Sequence, residues 1–163
     1  MLAAVSVATM ATASVLVGHR PYLVLNTSDS APRGVYWLHH DVRERTLSVG
    51  EWVIFGPPEP VRELMRERDY LRGATTLLKP IAALPGDQVC TDKRRVTVAG
   101  VPFGDVRPAD NQGRPLPWYR HCAAVPAGHL FVLSRKKGSF DSRYFGPLPL
   151  QSVIARATPL WTS

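Results

Sequence analysis

Residues 75–87 read Thr75-Thr76-Leu77-Leu78-Lys79-Pro80-Ile81-Ala82-Ala83-Leu84-Pro85-Gly86-Asp87, an apolar run that contains one cation and ends in a turn. The lysine in this run has two interpretations. In the first, Lys79 lies on an edge strand and its ammonium group reaches solvent. In the second, Lys79 stands in an apolar wall, where desolvation lowers its pKa by up to about 3–5 units and leaves a neutral amine able to act as a general base.

The segments around this run are mostly short strands. Residues 60–71 form the best helical pattern, with apolar side chains on one face, and Gly73 is expected to end it. The proline-rich residues 102–117 predict an irregular excursion. The β-rich runs are 35–38, 52–55, a hairpin over 95–101, 130–133 and 153–157. The sequence therefore predicts one mostly-β domain with a single inserted helix.

The composition limits the class of partner. The chain has 163 residues, enough for one domain, and a formal net charge of +7. The cations are scattered, and the two local groups, 93–95 and 135–137, are short enough to be solvated turns. Attraction to an anionic membrane surface is the next interpretation. No nucleic-acid-binding motif accompanies either group, so nucleic acid is not expected as a partner.

The first 18 residues carry no charged side chain. A membrane-spanning helix needs about 20 mainly apolar residues, so this segment is marginal in length. Its position predicts a membrane anchor or a signal segment over residues 1–18, with a buried helix as the alternative. The folded domain is then residues 19–163.

The two cysteines, Cys90 and Cys122, match neither a zinc pattern nor a redox motif. They are either two buried free thiols or, if the domain is exported, a disulfide. Their pairing therefore depends on the compartment of the domain.

Two further segments carry candidate reactive groups. Ser30 lies in the polar stretch 26–34, which predicts an exposed loop, although most loop serines have no chemical role. Asp141 and Arg143, in the stretch 139–147, form either a surface ion pair of little energetic weight or a buried frame that positions a catalytic group.

Three segments together resemble the signal peptidase I family. Residues 26–36 (Asn26-Thr27-Ser28-Asp29-Ser30-Ala31-Pro32-Arg33-Gly34-Val35-Tyr36) resemble its nucleophile box, residues 79–87 its lysine box, and residues 141–147 (Asp141-Ser142-Arg143-Tyr144-Phe145-Gly146-Pro147) its Asp-Ser-Arg-Tyr box. The boxes occur in the family's order over most of the chain. Ala31 and the short spacing to Pro32 are most similar to the TraF-like branch, conjugative-transfer peptidases that mature a pilin.

The resemblance implies a serine–lysine endopeptidase. Ser30 would be the nucleophile, and neutral Lys79 would take its proton and later protonate the leaving amine. The backbone N–H of Ser30 and the hydroxyl of Ser28 would hold the oxyanion. No histidine, metal or cofactor has a role in this scheme.

The same resemblance gives supporting roles to three more residues. Ser139 would orient the lysine, and Asp141 with Arg143 would form a structural ion pair beneath it. The preceding residues 134–138 lack the family's usual Gly-Asp-Asn run, so the local geometry around Ser139 is expected to differ.

The resemblance also implies a fold, a location and a substrate. We expect a coiled, mostly antiparallel β domain after an N-terminal apolar helix, at the inner membrane with the catalytic domain on the periplasmic side. An exported precursor, a conjugative pilin that the enzyme could also cyclise, would bind as an added strand. The alternatives are a general type I signal peptidase that cleaves preproteins and an exported assembly or binding module without chemistry. A self-cleaving repressor also uses a serine and a lysine, but residues 1–18 are too short and apolar to supply its DNA-binding domain. The sequence leaves the oligomeric state open.

Overall fold

Alternating and continuous apolar runs form antiparallel strands in this chain. The structure is a computed structural model and describes residues 22–71 and 74–162. Its helices are α1 (Glu59–Glu67) and α2 (Ser142–Phe145), with 3-10 turns at Glu44–Thr46 and Leu150–Ser152. Its strands are β1 (Leu23–Asn26), β2 (Gly34–His39), β3 (Trp52–Phe55), β4 (Leu77–Ala83), β5 (Gln88–Asp92), β6 (Arg95–Val98), β7 (Val101–Asp105), β8 (Cys122–Ala124), β9 (His129–Val132), β10 (Leu148–Pro149) and β11 (Val153–Thr162).

The strands form two antiparallel sheets. The larger has the order β1-β2-β11-β3-β4-β9-β10, and the smaller has the order β7-β6-β5-β8. The strand β1 therefore lies at one edge of the larger sheet, and β11 lies between β2 and β3. The predicted mostly-β, antiparallel fold class is confirmed.

The strand β4 lies at the centre of the packing. It is hydrogen-bonded to β3 on one side and to β9 on the other, and six of its seven residues are buried. It contributes to all three apolar clusters: Leu77 and Ile81 to the first, Ala82 and Ala83 to the second, and Leu78 to the third. Burial on both faces explains why this segment reads as a nearly continuous apolar run.

The first helix is shorter than its periodicity predicts. It begins after the N-cap residue Pro58 and has Pro60 in its first turn, which suits a residue without an N–H, and it ends at Glu67 rather than at Leu71. Asp69 adopts a left-handed backbone with φ of +51°, so the chain turns before the apolar pattern ends. The expected stop at Gly73 lies outside the described residues.

Other boundaries also differ from prediction. Residues 102–105 are not irregular, because they pair with β6 as β7, an edge strand that accommodates Pro102. The last strand extends to Thr162, and α2 is a second α-helix beside the single one predicted. The expected apolar helix over residues 1–18 lies outside the described residues. Across residues 22–71 and 74–162, no helix is long and apolar enough to span a bilayer.

Candidate active site

The loop between β1 and β2 carries Ser30, and Asn26 holds it closed. The Asn26 amide nitrogen donates to the carbonyl oxygens of Ser28, Ala31 and Pro32 at 3.1, 3.1 and 2.9 Å. Its Oδ1 accepts from the Ser28 backbone N–H at 3.1 Å. The Asn26 side chain therefore supplies hydrogen bonds to loop backbone groups that have no strand partner, as asparagine does in tight turns.

Gly34 ends this loop where the backbone passes close to β11. Its φ is +145°, and an added Cβ would lie 1.9 Å from the Trp161 carbonyl oxygen. Only glycine fits this close approach. The loop is thus held by Asn26 at its start and by the approach of β11 at its end.

The two serine hydroxyls of the loop form a chain of hydrogen bonds. Ser28 Oγ donates to Asn26 Oδ1 at 2.7 Å, which uses its only proton. Ser28 Oγ also lies 3.2 Å from Ser30 Oγ, so in this contact Ser30 donates and Ser28 accepts. The Ser30 proton therefore points toward Ser28, and Ser28 would have to release Asn26 before its own proton could serve an oxyanion.

Lys79 is buried in β4, directly opposite Val53 of β3. The residue is only 2% exposed, and its side chain is among the largest of the fully buried side chains. Desolvation lowers the pKa of the Lys79 ammonium to about 8, and the charge of Asp141 opposes part of this shift. The apolar wall is thus the correct interpretation of residues 75–84, and the solvent-reaching edge lysine is not.

Ser30, Ser28, Lys79 and Ser139 line one cleft of about 670 Å³, which we call the lysine cleft. In the described part of the chain, no hydrogen bond joins the Lys79 amine to the Ser30 hydroxyl, whose oxygen contacts Ser28 instead. Ser139 is 4% exposed, and its hydroxyl has no hydrogen-bond partner among the described residues. The lysine cleft therefore contains a buried amine and an unsatisfied buried hydroxyl.

Asp141 and Arg143 form a buried ion pair rather than a surface one. Arg143 Nε donates to Asp141 Oδ1 at 2.7 Å, and the Arg143 side chain is 6% exposed. The guanidinium also donates to the carbonyl oxygens of Ser134 and Asp105 at 2.7 and 3.0 Å. Asp141 further caps α2 by accepting from the backbone N–H of Arg143.

Ser134 connects this ion pair to the Ser30 loop. Its backbone N–H donates to Asp141 Oδ2 at 3.0 Å, and its hydroxyl donates to the Ser30 carbonyl oxygen at 2.9 Å. Two hydrogen bonds therefore separate a buried carboxylate from the backbone of Ser30. Breaking a buried pair by removing one partner typically costs about 3–5 kcal/mol, so this frame is a rigid support for the loop.

Two residues of the site carried no role in the sequence prediction. Asn26 could have been found from its place before a Ser-, Asp- and Pro-containing loop, which is typical of an asparagine that closes a turn. Ser134 had no such signal, because its two partners lie 7 and 104 residues away in the chain.

The two cysteines lie away from this cleft, in the smaller sheet. Cys90 of β5 and Cys122 of β8 are directly opposite each other and are joined by a disulfide. The bridge closes the chain over residues 90–122, which includes the irregular residues that follow β7.

Comparisons with known proteins identify the family of this chain. The family described as "Signal peptidase, peptidase S26" matches residues 1–161. The conjugal transfer protein TraF of Agrobacterium tumefaciens is 34% identical over 168 residues, covering 98% of this chain and 92% of that protein. The plasmid transfer protein TraF of Escherichia coli is 32% identical over 164 residues, covering 92% and 90%.

A signal peptidase I of Leptolyngbya laminosa is 30% identical over 112 residues, covering 66% of this chain and 49% of that protein. A crystal structure of a signal peptidase I from Enterococcus faecalis superposes with a TM-score of 0.41 at 22% identity, covering 69% of this chain and 97% of that one. From the full-length family match and the two TraF relatives, we conclude that the chain belongs to the signal peptidase, peptidase S26, family.

Proposed function

We propose that this protein is a membrane-associated serine endopeptidase that cuts an exported precursor with Ser30 as nucleophile and Lys79 as general base. The observation that carries the proposal is the buried Lys79 amine, whose pKa is lowered to about 8, in the same cleft as the loop serine. An amine with such a pKa is largely uncharged in mildly alkaline solution and is then able to accept a proton.

The reaction needs two local movements, one of the Ser30 side chain and one of the Ser28 side chain. The scheme requires the Ser30 side chain to rotate into another staggered rotamer, which releases its hydroxyl from Ser28 so that it can approach the Lys79 amine. Ser30 Oγ then attacks the scissile carbonyl carbon while Lys79 Nζ accepts the hydroxyl proton. Lys79 returns that proton to the leaving amine as the peptide C–N bond breaks, which leaves an ester between the acyl half and Ser30.

Electrostatic support for the oxyanion comes from the same loop. The backbone N–H of Ser30 is one donor, and the Ser28 hydroxyl becomes the second when it leaves Asn26. Ser139 supplies a buried hydroxyl in the same cleft as the amine, and Asp141 with Arg143 holds the loop through Ser134. These are positioning roles, and none of these four side chains bonds to substrate in the scheme.

The fold offers a place for an extended peptide. Among residues 22–71 and 74–162, β1 pairs only with β2, which leaves its other edge open to a peptide, and Val24, Leu25 and Asn26 line the lysine cleft. A precursor that adds as a strand here places its scissile bond beside Ser30.

Exposed apolar side chains support membrane association. Leu23 lies opposite Trp37, and Leu25 and Trp161 lie opposite Val35, so these side chains share one face of the sheet. Exposure ranges from 40% for Trp37 to 75% for Trp161. Tryptophans with exposed faces are typical of membrane interfaces, and a basic chain is attracted to anionic lipids. We infer that the catalytic domain rests on the outer surface of the inner membrane.

The TraF relatives are named for conjugal and plasmid transfer, which favours a conjugative pilin precursor as the substrate. The ester on Ser30 is resolved by water or by the amine of the pilin itself, which would close a ring. Mass spectrometry of the processed pilin distinguishes these outcomes, because the hydrolysed product is heavier than the ring by one water. Rescue of a strain depleted of its own signal peptidase would instead indicate a general signal peptidase.

Cleavage of the pilin precursor by purified variants tests the dyad. Ser30→Ala and Lys79→Ala should each lower kcat/KM by at least about a thousandfold. The matched controls Ser48→Ala and Lys137→Ala change an exposed serine and an exposed lysine outside the lysine cleft, and should cleave normally. Normal processing by either dyad variant would show that the assignment is wrong. A folded, inactive wild-type protein would instead favour an assembly or binding module.

A further inference from the structure

Ser30 lies between the lysine cleft and a second cleft of about 640 Å³. The second cleft shares Asp29, Ser30 and Arg33 with the lysine cleft, but Lys79 does not line it. Its floor comes from both sheets and is mostly apolar: Val49, Trp52, Ile81, Phe103 and Leu133. When the scissile carbonyl of a bound peptide lies at Ser30, the segment on one side of the cut can enter the lysine cleft and the segment on the other side can enter the second cleft.

The rim of the second cleft is cationic. Arg135 lies over the Phe103 ring, with its guanidinium carbon 4.6 Å from the ring centroid, and Lys136 follows it along the rim. The one carboxylate among the lining residues, Asp29, is paired with Arg33 at 2.6 Å. Arg135 and Lys136 therefore leave an excess of positive charge beside an apolar floor, which complements an acidic side chain next to a large apolar one.

The backbone along the second cleft is already paired. Ile81 accepts from the Gly50 N–H and donates to the Glu51 carbonyl oxygen, both at 2.8 Å, and the Pro80 carbonyl oxygen accepts from Leu133 at 3.1 Å. Strand addition is therefore available along β1 in the lysine cleft and not here. The second cleft offers side-chain contacts, which suits a segment that must leave after the first chemical step.

We propose that the second cleft binds the precursor residues that follow the cut, with a large apolar side chain against Phe103 and an acidic side chain at Arg135 and Lys136. This inference rests on the proposed function, because it assigns the leaving half of the substrate of the same Ser30. It gives the enzyme a second region of specificity beyond the residues before the cut.

Three synthetic substrates with one common acyl half test this assignment. Two are peptides in which the cut is followed by leucine and then by aspartate or by lysine, and the third is a nitrophenyl ester with no residue after the cut. For the wild-type protein we expect kcat/KM to be at least roughly fivefold higher for the aspartate peptide than for the lysine peptide, the scale of an exposed ion pair. The double variant Arg135→Glu/Lys136→Glu should invert this preference and leave ester hydrolysis unchanged.

The control variant Lys137→Glu makes the same charge change one residue beyond the rim, at a lysine that lines neither cleft, and should keep the wild-type preference. Equal cleavage of both peptides, or a double variant that loses ester and peptide activity alike, would overturn the inference while the peptidase itself stands. A wild-type protein that turns over none of the three substrates faster than Ser30→Ala would overturn the proposed function and this inference with it.

Discussion

Raising the pH should increase kcat/KM, because the Lys79 ammonium loses its proton. Because the pKa of this buried amine is about 8, the neutral fraction is about 9% at pH 7 and about 91% at pH 9. If neutral Lys79 is the base, kcat/KM rises about tenfold between these values with a midpoint near 8. An ordinary exposed lysine, with a pKa of about 10.4, would give a midpoint more than two units higher.

The assay is the pH profile of kcat/KM with the nitrophenyl ester, corrected at each pH with Ser30→Ala. Burial raises the pKa of Tyr36, Tyr119 and Tyr144 from 10.0, and the disulfide cysteines do not titrate, so these groups stay out of the window from pH 7 to 9. A flat profile, a midpoint near 10.5, or a limb near pH 8 that persists in Lys79→Ala would refute the assignment.

The same pKa shift has a consequence for stability, with a definite sign. Below pH 8 the amine is protonated in both the native and the unfolded chain, so the native state bears the full cost of burying the charge. Between pH 8 and 10.5 the unfolded chain binds more protons, and stability rises with pH. The difference between 10.5 and about 8 corresponds to about 3 kcal/mol. In urea unfolding at pH 7, Lys79→Met should therefore be more stable than wild type by up to about 3 kcal/mol. This difference in stability should become smaller toward pH 10. An equal difference at both pH values would show that burial of the lysine charge is not its cause.

Two further variants test the support of the site, and a third test concerns the disulfide of the smaller sheet. Asn26→Ala removes the contacts that close the Ser30 loop and should lower stability by about 1–3 kcal/mol and kcat by more than tenfold; unchanged ester turnover would exclude a positioning role. Gly34→Ala places a Cβ 1.9 Å from a carbonyl oxygen of β11 and should cost more than about 3 kcal/mol in thermal unfolding, whereas Gly113→Ala, in open space at φ of +78°, should cost about 1. Reduction of the bridge from Cys90 to Cys122, 32 residues apart, should lower stability by about 3–4 kcal/mol, and the double serine variant should show no response to reductant.

The order and type of the main elements follow from local patterns. The continuous apolar run around Lys79 left an edge strand and an apolar wall as alternatives, and the structure shows it to be the buried strand β4. The loop of Ser30 followed from its polar, proline- and glycine-containing composition. Two other elements were predicted less well: β7 pairs in a hairpin with β6 although it contains Pro102, and α1 ends early because Asp69 adopts a left-handed backbone.

Details of the site were beyond reach for a different reason. The Asp141–Ser134–Ser30 connection and the orientation of the Ser30 proton toward Ser28 depend on distances that only the folded chain defines. The three sequence segments that resemble the family can indicate which groups share a cleft. Which of these groups are hydrogen-bonded to each other depends on side-chain rotamers, which the sequence does not give.

The position of β11 bears on when the Ser30 loop gains its support. This strand lies between β2 and β3, yet it follows every other strand in the sequence. Because a chain is synthesised from its N-terminus, β2 and β3 emerge long before the strand that must join them. The loop before β2 therefore gains its contact with β11 only after the other described strands have been synthesised, and a nascent chain that stops short of β11 lacks that support.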